Sequence, residues 1–81
     1  MNTVVDLGRW PIGRRVAYLR HARGFSQTEL AGLVGRSKSW MEKVERGVRQ
    51  LDRVSVIREL ATALRVAPQD ILCGDELAVS R

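Results

Sequence analysis

A glycine at position 35, eight residues after Gln27 and four after Ala31, restricts this chain's fold more than any other feature. It sits inside the segment 27–47, QTELAGLVGRSKSWMEKVERG, where apolar residues follow six and nine positions later at Met41 and Val44. Leu30, Leu33 and Val34 recur at three- and four-residue steps, which predicts a helix opening at Gln27 with these three on its buried stripe. Ala31 is small enough to let a second helix cross close by. The residue just past a helix end commonly takes positive φ, which costs glycine little. Gly35 therefore predicts a sharp turn of three or four residues. Ser37 can cap the helix beyond the turn, sending Met41 and Val44 inward and leaving Lys38, Ser39, Glu42 and Lys43 outside.

The flanking chain supplies three more helical segments. A first helix is predicted from about Ile12 to Arg23, with Ile12, Val16 and Leu19 on one face, Gly24 as its stop and Phe25 anchoring the link. Ser26 and Glu29 form an S-x-x-E capping box for the second helix, which ends at Val34. The third covers about Ser37 to Arg46 and stops at Gly47. VRQLDR reads as a loop with Leu51 tucked in and Asp52 as the cap of the fourth helix. Val54, Ile57, Leu60, Ala61 and Leu64 mark that helix. Pro68 opens a short fifth helix to about Leu72, with Ile71 and Leu72 inward and Gly74 as terminator. Residues 1–11, ending in Trp10-Pro11, read as a flexible, mostly extended arm. Residues 12–74 read as one domain, and 75–81 as a tail or the start of a linker to a further domain. Neither an alternating strand pattern nor an internal repeat is visible.

Eighty-one residues suit one small domain, too small to hold a buried catalytic cavity. No paired carboxylates, glycine-rich phosphate loop or nucleophile and base constellation is present, so an enzyme is not expected. With a single cysteine, Cys73, neither an internal disulfide nor a cysteine-based zinc site is available, and packing near the last helix is its expected role. His21, the one histidine, is expected on the surface, and no cofactor or metal is implied. No apolar run approaches the roughly 18 residues of a membrane span, and MNTVVDLGRWPIG lacks the basic start and apolar stretch of a signal peptide; a cytoplasmic location is expected. The net charge of +5 is unevenly spread. Residues 1–53 hold eleven Arg/Lys against five Asp/Glu, whereas residues 54–81 hold three against four. The positive half is the one carrying the two helices and tight turn, the footprint a DNA-binding face requires.

The pattern R-x3-G-x-S-Q-x-x-L-A-x-x-x-G followed by E-x-G is met by Arg20, Gly24, Ser26, Gln27, Leu30, Ala31, Gly35, Glu45 and Gly47. In these residues the chain resembles the Cro/C1-type (Xre-like) helix-turn-helix family of bacterial and phage repressors, over about four fifths of its length. The resemblance implies an all-α, compact five-helix bundle of the lambda-repressor-like type, and sequence-specific double-stranded DNA binding by a transcriptional regulator. It also implies that Arg20 and Glu45 form a largely buried ion pair tying the first helix to the end of the third. One departure is Arg36, where family members often carry an apolar residue.

Lys38, Ser39 and Lys43 match the family's base-reading positions, at the start and one turn along the exposed face of a helix entering the major groove end-on. Lysine can bond guanine O6 or N7, and none of the three is the Gln or Asn that reads adenine. Trp40 could touch a base or sugar, or rest at the edge of the core. Arg36, and Gln27 at an unpaired helix N-terminus, are placed for phosphate, and Arg46 and Arg49 for the opposite backbone strand. A domain of this size reads about four or five base pairs, so a two-fold operator and a weak homodimer pairing on DNA are expected. The resemblance puts that seam in Val66 to Leu77, which contains Ile71, Leu72 and Leu77. A protein-interaction or antitoxin-like module reusing the same fold is the alternative; it would not need the concentrated positive charge.

Overall fold

The structure, a computed structural model, describes residues 10–72. Among these residues five helices follow one another: α1 Ile12–Ala22, α2 Gln27–Leu33, α3 Lys38–Glu45, α4 Val54–Leu64 and α5 Pro68–Leu72. No strand occurs among the described residues. The expected arm up to residue 9, Cys73, Gly74, Leu77 and the tail lie outside them.

The ends of α1 to α4 share one device. After α2, Arg36 N–H donates to Ala31 O at 2.8 Å and Gly35 N–H to Gly32 O at 3.2 Å, with Gly35 at φ +70°, which closes the helix and reverses the chain in the space of the turn. The same pair of closing bonds ends α1 at Gly24 and α3 at Gly47. At the end of α4 the left-handed position is held by Arg65, φ 61°, the one non-glycine with positive φ among the described residues. Arg23 braces it: its Nε donates to Leu64 O at 2.6 Å and its Nη2 to Arg65 O at 3.1 Å. The starts of α2 and α3 are capped by serines. Ser26 and Glu29 form the reciprocal capping box of α2, and Ser37 Oγ accepts the Trp40 N–H at 3.0 Å.

These helices enclose one core built on Val16, Leu30, Ala31, Met41, Val44, Leu51, Ile57, Leu60, Leu64 and Ile71. α2 packs on α3, α1 crosses α3, and α4 pairs with α5. The crossing of α1 on α3 is very tight: a Cβ built on Gly13 would stand 2.0 Å from Val44 O, so only glycine fits there. Arg15, buried on the same helix, donates from Nη2 to Leu72 O at 2.7 Å and so ties α1 to the end of α5.

Four expectations from periodicity and capping are corrected. Leu33 is 59% exposed, because Leu30 and Val34 already define the inward direction of a seven-residue helix and Leu33 falls on its flank. Val54, the first residue of α4, is 64% exposed; Val56 takes the inward place on the same stripe as Leu60 and Leu64. Leu72 is 45% exposed: on the five-residue α5 the fully buried Ile71 takes the inward place, and Leu72, about 100° further round, falls at the edge of that face. Asp52 does not cap α4. The cap position is Arg53, one residue later, and it makes no side-chain cap bond.

Candidate nucleic-acid interface

α3 is the element that turns the fold into a surface. Met41 and Val44 are buried in the core and fix the helix about its axis; Lys38, Ser39 and Lys43 are thereby left on the side away from it. Lys38 Nζ lies 3.8 Å from Glu42 Oε2, an exposed pair one turn apart, too weakly held to keep the ammonium from another acceptor.

Behind that face lies a polar knot. Arg20 Nε donates to Glu45 Oε2 at 2.6 Å and Nη2 to Glu45 Oε1 at 3.1 Å, a two-bond fork between side chains only 8% and 7% exposed. Arg20 Nη1 donates to Phe25 O at 2.9 Å. Gln27 Nε2 donates to Glu45 Oε1 at 2.9 Å. One guanidinium therefore joins α1, the α1–α2 link and the last residue of α3, while Gln27 joins the start of α2 to the same carboxylate. Charge-assisted, two-bond geometry of this kind fixes orientation as well as distance. Gln27, expected at phosphate, is half-buried and spends one amide N–H inside the knot, leaving its other N–H and its backbone at the α2 N-terminus for an anion.

The remaining cations ring the start and end of α3. Arg36, Arg46 and Arg49 are exposed. Trp40, whose role the sequence left open, is half-buried and packs against the core, and the Arg36 guanidinium carbon stands over its ring, 5.2 Å from the centroid. Between the start of α3 and the α3–α4 loop runs a shallow cleft lined by Arg36, Trp40, Arg49, Gln50, Asp52 and Arg53, with Leu51 and Val56 among its walls. The structure thus brings Arg36, Trp40 and Arg49 together, and places Lys38, Ser39 and Lys43 along the adjoining helical face. Arg53 carries no signal of this role in the sequence, where the neighbouring Asp52 offers the more obvious start of α4. No group of three or more potential metal-ligating side chains occurs among the described residues, and no helix there is long and apolar enough to cross a membrane.

Residues 11–72 match the helix-turn-helix domain family. Among solved structures the chain is similar to the restriction-modification controller protein C.AhdI from Aeromonas hydrophila: 42% identity over 74% of this chain and 86% of that one, TM-score 0.69. It is similar to SinR, a master regulator for biofilm formation solved in complex with DNA, at 27% identity over 76% of this chain and 98% of that one, TM-score 0.71. The DNA-binding domain of the P22 C2 repressor gives 27% identity over 93% and 90% of the two chains, TM-score 0.72. Comparison with curated proteins finds no match.

Proposed function

This chain belongs to the helix-turn-helix domain family, in its Cro/C1-type branch, and on that premise we propose that it is a transcriptional regulator which binds double-stranded DNA in a sequence-specific way. α3 enters the major groove. The observation that carries this reading is the exposed cationic face of α3 held by a buried polar knot: Lys38, Ser39 and Lys43 outward, the Glu45 carboxylate locked to Arg20 and Gln27 behind them. A base-reading helix needs that rigidity, because hydrogen bonds to base edges discriminate only when the donor is held in register. Lys38 and Lys43 donate to guanine O6 or N7, and Ser39 bonds to either kind of edge. Arg36, Arg46 and Arg49, with the α2 N-terminus and Gln27, take backbone phosphates and set the register. The regulator works where the DNA is, in the cytoplasm, and two copies pair on a two-fold site.

Selection from a pool of random duplexes at moderate salt tests this. Enrichment of a two-fold motif with G-containing half-sites is the expected result. Binding that enriches no sequence, or no binding to duplex DNA even at low salt, would refute it and leave the partner-binding use of the fold.

A further inference from the structure

We propose that Trp40 is a positioning residue: its ring holds the Arg36 guanidinium ready for a DNA phosphate at the cleft shared with Arg49 and Arg53, and Trp40 itself reads no base. The inference rests on the DNA-binding reading above and deepens it.

Arg36 is exposed and stands just before Ser37, the cap of α3. A free arginine there would sample many rotamers and lose that freedom on binding. Trp40 removes part of the cost beforehand. The indole is half-buried against the core, so it is a fixed platform, and the guanidinium carbon lies 5.2 Å from its centroid. A cation attracted to a ring spends no N–H donor on that contact, so the donors of Arg36 remain for phosphate oxygens. The surroundings favour an anion: three arginines line the cleft against one carboxylate, Asp52. A ring that is already packed against the core and covered by a guanidinium is poorly placed to lie on a thymine methyl.

The test is a double-mutant cycle read on a short mixed-sequence duplex over a series of salt concentrations, where phosphate contacts dominate non-specific binding. Arg36→Ala is expected to weaken binding by about three- to tenfold and to lower the salt slope by about 0.9 for each phosphate no longer neutralised. Trp40→Met fills the core edge without a ring and is expected to weaken binding by about two- to fivefold with a similar fall in slope. Trp40→Phe keeps the slope. In the Arg36→Ala background, Trp40→Met should cost almost nothing more. Losses that multiply instead, or a Trp40→Met variant that keeps its salt slope but changes its preference among selected sites, would overturn the inference. If Trp40→Met fails to fold, the exposed Arg36→Ala variant decides alone: duplex binding should shift the Trp40 indole N–H resonance clearly in the wild type and much less in Arg36→Ala, and equal shifts would overturn it. Failure of the wild type to bind duplex defeats the functional reading itself; binding with multiplicative losses defeats only the brace.

Discussion

Arg20 and Glu45 are both almost wholly enclosed, so truncating either leaves a charge with nowhere to go. Removing one member of a buried pair costs about 3–5 kcal/mol, and a domain of this size has only on the order of 4–12 kcal/mol in total. Arg20→Ala and Glu45→Ala are therefore expected to lose DNA binding by unfolding, seen as a collapse of the thermal transition. An unchanged melting temperature in both would mean that the pair contributes nothing to stability. The knot also divides labour among residues that look alike in the sequence. Of the polar residues 20, 27, 38, 43 and 45, the first, second and last hold one another, and the two lysines stay available at the surface.

At the scale of elements, the crossing of α1 on α3 and the end of α4 are the places where backbone geometry decides. Gly13→Ala would drive a methyl into Val44 O, a backbone atom that no rotamer change can move aside, so α1 and α3 must separate. A loss of at least about 2–3 kcal/mol is expected by chemical denaturation, and a melt indistinguishable from wild type would show that the crossing can relax. Arg65→Gly is expected to act in the opposite sense. It relieves a left-handed non-glycine while keeping the carbonyl that Arg23 bonds, raising stability by about 0.5–1 kcal/mol; a lower melting temperature would contradict it. The turns and caps were legible in the sequence because they depend on one or two residues at fixed offsets: Ser26 with Glu29, Gly35 after α2, Ser37 before α3. The helix flanks were less so. Periodicity gives a stripe but not its exact phase near an end, so it points Leu33, Val54 and Leu72 inward and passes over Val56. Gly13, Arg15 and Arg23 had no local signature at all, since what makes each matter is a carbonyl 31, 57 or 41 residues away in the chain.

At the scale of the whole molecule, the apolar residues among those described are largely spent on one core. Of the expected dimer seam, Ile71 is fully buried within its own chain and Leu72 is partly exposed. A stable interface needs roughly 1,200 Å² in total, so the free protein is expected to sediment as a monomer or weak dimer and to bind a two-fold site as two copies, adjacent half-sites raising the effective concentration. A tight dimer without DNA would contradict this and place a larger seam beyond the described residues, while one copy per two-fold site would remove the dimer altogether. The claim on which everything else depends is that the exposed face of α3 reads bases. Its most direct measurement is a titration, at one fixed salt concentration, of wild type, Lys38→Ala and Lys43→Ala against a selected duplex and a scrambled one. Each lysine variant is expected to lose about 1–3 kcal/mol on the selected duplex and much less on the scrambled one, with preference relaxed at particular positions. Equal losses on both duplexes would mean that the lysines hold only phosphate, and that the bases are read by some other surface.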